Sequence, residues 1–92
     1  MDWKIELDSE AERDLDKLDS QTARRILRFL HGRVAVLDDP RSIGAALRGA
    51  GLGGYWRYRV GDYRIVARID DDTVTVLVLR LGHRSSVYAM RR

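Results

Sequence analysis

The Gly61–Asp62 pair constrains this chain more than any other feature, because two runs of alternating residues meet there. Gly-Asp suits a primed two-residue hairpin turn, whose twist matches that of the strands it joins. So short a turn fixes the pairing: Val60 faces Tyr63, Arg59 faces Arg64, Tyr58 faces Ile65 and Arg57 faces Val66. Side chains alternate across a strand, so Trp56, Tyr58, Val60, Tyr63, Ile65 and Ala67 share one face. Arg57, Arg59, Arg64 and Arg68 share the other. Arg59 directly opposite Arg64 is a like-charge pair, which costs stability. Stability alone does not account for four guanidinium groups on one face. The pattern calls for an anion there.

The flanking sequence supplies the rest of a small α+β domain. Trp3, Ile5 and Leu7 alternate with Asp2, Lys4 and Glu6, which predicts a half-buried first strand over residues 2–7. Asp8 or Ser9 offers an N-cap, and Ser9 with Glu12 matches a capping box. Ala11, Leu15 and Leu18 then fall at helical spacing. Asp19 and Ser20 cap a second helix, whose apolar stripe runs through Ala23, Ile26, Leu27, Leu30, Val34 and Leu37. Arg24, Arg25, Arg28 and Arg33 lie on or beside its wet side. Gly32 weakens this helix by roughly 1 kcal/mol relative to Ala, yet the period continues through it to Asp38-Asp39-Pro40. The tight link between the helices implies an antiparallel pair.

Residues 40–54 read as a glycine-rich connector, with room for one helical turn from Ser42 to Arg48. No strand–glycine–helix order surrounds the glycines, so they do not read as a phosphate cradle. Asp70-Asp71-Asp72 reads as a solvated turn, since successive turn residues point apart and no further ligands follow at calcium-loop spacing. Thr73–Leu81 is apolar on both faces and is expected to be central in the sheet. The order β-α-α-β-β-β predicts an antiparallel four-stranded sheet with an N-terminal helical hairpin on one face. Residues 1–92 form a single domain.

Charge locates the anion. Residues 1–40 carry a net charge of −3, whereas residues 41–92 carry +6, with ten arginines and no lysine. Arginine grips phosphate with a planar fork and holds its charge near neutrality, so nucleic acid is the first candidate ligand. The chain has no cysteine, which removes thiolate chemistry and disulfides and fits a reducing cytoplasm. No apolar run reaches the ~18 residues of a membrane span. No metal and no small-molecule cofactor is expected.

The tail after Gly82 adds candidates. A last strand beside the hairpin brings this segment near the Gly61–Asp62 end, and with it Arg84, His83 and Tyr88. A histidine among arginines protonates less readily, which suits a general base. A tyrosine there can stack on a nucleobase or exchange a proton.

Trp56-Arg57-Tyr58-Arg59-Val60-Gly61-Asp62-Tyr63-Arg64 follows Leu47-Arg48-Gly49 and precedes Gly82-His83-Arg84-Ser85-Ser86-Val87-Tyr88. In these segments and in element order, the chain resembles the RelE branch of the RelE/ParE toxin superfamily. The resemblance implies a ribosome-dependent mRNA endonuclease that cleaves in the ribosomal A site, inhibits translation and is inhibited by a RelB-like antitoxin. It carries catalytic roles onto Arg57, Arg59, Arg64, Arg84 and Tyr88; Arg68, from its place on the arginine face, is a further candidate for phosphate binding. Well-known members have lysines where this chain has Arg57 and Arg59. Arginine almost never gives up its proton, which brings in His83 as a candidate base. The alternatives are a ParE-like inhibitor of DNA gyrase and an inactive RNA-binding relative.

Overall fold

A computed structural model describes residues 2–47 and 54–85. Strands β1 (Lys4–Leu7), β2 (Ala45–Ala46), β3 (Tyr55–Val60), β4 (Tyr63–Asp70) and β5 (Thr75–His83) form one sheet in the order β1-β5-β4-β3-β2. Between β1 and β2 lie helices α1 (Ser9–Asp16) and α2 (Ser20–Phe29). The α+β class agrees with the expectation, but the sheet does not. It has five strands, and β1 pairs β5 in parallel, with Ile5 opposite Val76 and Leu7 opposite Val78. The two-residue β2 adds an antiparallel edge opposite Trp56 and Arg57. Alternation reports which face a residue takes, not which strand lies beside it. Two alanines are too short a run to show a period at all. The apolar β5 lies between β1 and β4, as its two apolar faces require.

Each helix starts on an aspartate. The Asp8 carboxylate accepts from the Glu10 N–H at 3.3 Å, so Asp8 and not Ser9 caps α1. Asp19 accepts from the Thr22 N–H at 3.1 Å and from its hydroxyl at 2.6 Å. The second helix does not run unbroken through Gly32. It ends at Phe29 and passes into a π turn over Leu30–Val34, where the Ala35 N–H donates to the Leu30 carbonyl at 2.9 Å. Pro40–Ile43 form a 3-10 turn, shorter and earlier than the helical turn expected over 42–48.

Ile26, Leu30 and Val34 are fully buried with Tyr58, Ile65, Val76 and Val78 of the sheet. Each such aliphatic side chain contributes roughly 1.5–3 kcal/mol. The buried Tyr58 hydroxyl donates to the Pro40 carbonyl at 2.6 Å, and its burial pushes the phenol up to about 12. Asp71, in the turn between β4 and β5, receives both Nη atoms of Arg41 at 3.2 and 2.7 Å. One side of the acidic turn is thereby tied to the 3-10 turn.

The opening hairpin has the register its turn imposes, with Val60 opposite Tyr63 and Arg59 opposite Arg64. Gly61 sits at φ 60°, while Asp62 stays out of the left-handed region. That combination is the type II′ arrangement, with glycine at the first central position. A bulge interrupts the β4–β5 ladder: Val66 faces Arg80, but Ala67 faces Val78, which leaves Leu79 unmatched. One extra residue exchanges the two faces of β5 beyond it. Val78 and Leu81, an odd number of residues apart, are consequently both buried in the core.

Candidate nucleic-acid site

The arginine face is built by β3 and β4. Arg59 and Arg64 are register partners, and Arg57 sits one alternation further along β3. Arg68 faces Tyr55 at the far end of the same pair of strands. Opposite Arg64 on β5 is Gly82, which places no side chain against it. One Nη of Arg64 donates to the Gly61 and Tyr63 carbonyls, each at 3.0 Å, so its guanidinium is held against the end of the hairpin. Arg57 is half-buried, and its buried Nε has no hydrogen-bond partner. A buried polar group left without a partner in a folded protein calls for an explanation. An anion bound on this face would supply one.

Ion pairing separates this set from three other arginines. Arg13, Arg41 and Arg80 have carboxylate oxygens at 3.6, 2.7 and 2.9 Å. Among the described residues, Arg57, Arg59, Arg64 and Arg68 have no carboxylate within ion-pair distance. Like charges that lie close together and are not neutralised from within the chain form a field suited to an external anion.

The tail divides. The Arg84 N–H donates to the Asp62 carbonyl at 2.7 Å, which pins this residue to the hairpin tip near Arg64. Its Nε lies 4.0 Å from an Asp62 carboxylate oxygen, an exposed and weak contact. His83 goes elsewhere. It pairs with Tyr63, whose ring it meets edge-on at 5.7 Å, and its Nδ1 lies 2.8 Å from the Ser85 hydroxyl. Tyr63 belongs to the face opposite Arg59 and Arg64, so His83 is not brought onto the arginine face as expected. The bulge at Leu79 is the reason, because without it His83 would share a face with Arg64. Tyr88 lies outside the described residues.

Sequence reasoning missed two parts of the surroundings. A groove of about 290 Å³ runs along the β3 edge beyond β2, and Phe29 and Arg33 line it with Arg57 and Arg59. The Arg33 guanidinium carbon lies 5.9 Å from the centre of the Phe29 ring. The available signal was the run 20–37, which holds four arginines and no acid. The other part is Arg80, beside Val66 in the ladder, whose Nε and Nη2 donate to Asp14 at 2.9 and 3.1 Å. Asp14 also accepts the Leu81 N–H at 3.0 Å, on the stretch of β5 that β1 does not cover. Burial alone would raise this carboxyl. The bonds from Arg80 and Leu81, with the Arg80 and Lys17 charges, outweigh it and hold Asp14 below the usual carboxylate value.

Comparison with known proteins gives a consistent picture. Residues 5–88 match the family described as ParE toxin of type II toxin-antitoxin system, parDE. Toxin RelG of Mycobacterium tuberculosis is 34% identical over 88 residues, covering 96% of this chain and 98% of that one. Toxin RelE of the same organism is 33% identical, covering 96% and 88% respectively. Among solved structures, the toxin–antitoxin complex RelBE2 of Mycobacterium tuberculosis aligns at a TM-score of 0.83 and 32% identity, over 94% of this chain and 95% of that one. The intact E. coli RelBE toxin–antitoxin complex aligns at 0.66 and 25% identity, over 88% and 95%.

Proposed function

This chain belongs to the ParE toxin family of type II toxin–antitoxin systems, within the RelE/ParE superfamily, and on that footing we propose that it is a ribosome-dependent mRNA endonuclease. The observation that carries the reading is the opposed Arg59–Arg64 pair, with Arg57 beside it and, among the described residues, no carboxylate to neutralise it. In the ribosomal A site, the mRNA 2′-hydroxyl attacks the adjacent 3′-phosphate. The O–P bond to the next nucleotide breaks, leaving a 2′,3′-cyclic phosphate and a free 5′-hydroxyl. Arg57, Arg59 and Arg64 hold the phosphate and stabilise charge growing on its non-bridging oxygens, and Arg84 shares that role from the hairpin tip. Arg68 contacts the strand further along the face. Tyr88 orients the base or exchanges a proton. His83, the candidate base, sits with Tyr63 on the other face of the hairpin, beside Arg84 in the chain.

The natural inhibitor is a RelB-like antitoxin, since structures similar to this chain are RelBE complexes. An acidic partner segment over the arginine face would neutralise it. The chain is expected to work in the cytoplasm, where translating ribosomes are. Cleavage is tested with ribosomes programmed with an mRNA carrying a 2′-deoxy sugar at the mapped cut. Loss of cutting there supports the mechanism, and undiminished cutting sinks it. A second reading, ParE-like inhibition of DNA gyrase, is favoured by the name of the matching family. Gyrase-dependent DNA breaks on induction, with mRNA intact, would establish it instead.

A further inference from the structure

Arg25 and Arg28 of α2 and Arg33 of the π turn take no part in the chemistry above; they are exposed, yet they converge on one cavity. A cavity of about 440 Å³ lies between α2 and the end of β3, lined by Arg25, Arg28, Arg33 and Arg59 together with Phe29 and Gly61. It shares Phe29, Arg33 and Arg59 with the smaller groove that contains Arg57. The two therefore form one channel that leads from the arginine face around the β3 edge to α2. Gly61 is part of its construction: a Cβ there would lie 3.0 Å from a terminal nitrogen of Arg25, so the bare turn lets that guanidinium lie against it. Among the described residues, Arg25, Arg28 and Arg33 have no carboxylate within ion-pair distance. The run 20–37 contains no acid that would supply one.

We propose that this channel is a second RNA-backbone site, in which Arg25, Arg28 and Arg33 bind phosphodiesters beyond the one held by Arg57, Arg59 and Arg64. The inference rests on the endonuclease reading for its choice of RNA. A strand whose phosphate lies against Arg59 must continue past it, and the channel begins at Arg59 with unneutralised forks and an aromatic wall. The phosphodiesters come either from the substrate strand or from ribosomal RNA, and both sources present the same chemistry.

The test is the salt dependence of binding by the full chain. Each phosphate contact contributes a slope of about −0.7 in log K against log salt for a single strand. The probes are a labelled RNA of about twelve nucleotides, with a 2′-deoxy sugar at the cut site, a trinucleotide, and small ribosomal subunits. Arg25→Gln/Arg28→Gln should flatten the slope for the longer RNA by about 1.4, for two lost contacts, and not for the trinucleotide. Arg25→Lys/Arg28→Lys should restore most of it. A flattened slope with ribosomal subunits alone assigns the phosphates to ribosomal RNA and also supports the site. Unchanged slopes with both overturn it, as does weakened binding only to an acidic antitoxin peptide. Circular dichroism and the thermal midpoint check that the variants fold. The endonuclease reading fails separately, if the native chain leaves ribosome-bound mRNA uncut.

Discussion

At the scale of single residues, the sheet holds two guanidinium groups opposite each other and anchors one of them to backbone carbonyls. Arg64 is bound at Gly61 and Tyr63, so its guanidinium is already oriented for the phosphate proposed above. Arg64→Ala should therefore lower the rate of mRNA cleavage by about two orders of magnitude or more, measured by single-turnover cutting on programmed ribosomes. Tyr58 is a residue of the fold and not of the site. Tyr58→Phe removes its bond to Pro40 and should cost about 1 kcal/mol in urea unfolding. The raised phenol also sets a pH limit. The folded chain keeps a proton that the unfolded chain loses, so this contribution is full below pH 10 and is lost as pH rises through about 12. The Phe variant should lack that alkaline decline.

At the scale of elements, α1 completes a strand it does not belong to. Asp14 caps the Leu81 N–H and holds Arg80 where β1 has ended, so Asp14→Ala leaves a buried donor and a cation without their main partner. The cost should be about 3 kcal/mol by chemical denaturation. Because the Asp14 pKa lies below 3.8 when folded, its stabilisation is fully present above that value and is lost as pH falls through the folded one. Asp14→Asn should flatten the acid limb of a stability profile. The sequence made the β3–β4 hairpin legible in full, since Gly61–Asp62 fixes the register and the alternation fixes the faces. Arg57, Arg59, Arg64 and Arg68 were legible for the same reason. The parallel partner of β1 was not, because Ile5 and Leu7 need an apolar neighbour without specifying which. His83 was misplaced because nothing in Leu77-Val78-Leu79-Arg80 marks Leu79 as the unmatched residue. Three apolar residues in a row are compatible with either phase. The groove beside α2 went unread because an arginine-rich helix face looks the same whether it meets water or a ligand.

At the scale of the whole molecule, charges divide by partner among the described residues: Arg41 and Arg80 have carboxylates, and the arginines around the β3 edge do not. An antitoxin that binds only the folded chain should stabilise it by about 2.7 kcal/mol at a hundredfold excess over its dissociation constant. For a chain of this size that corresponds to a thermal shift of roughly 10 °C or more, readable by calorimetry at fixed concentrations. The pairing of β1 with β5 has a further consequence, which concerns time. The first strand to leave the ribosome can close only against the last strand of the sheet to be made. At about 5–20 residues per second, an emerging chain spends several seconds with β1 and the helices present but no sheet on which to order them. Completion of the sheet, and with it the docking of β1, therefore waits for synthesis to pass His83. The chain thus remains an unfinished intermediate for most of its birth, and an antitoxin has until then to be at hand.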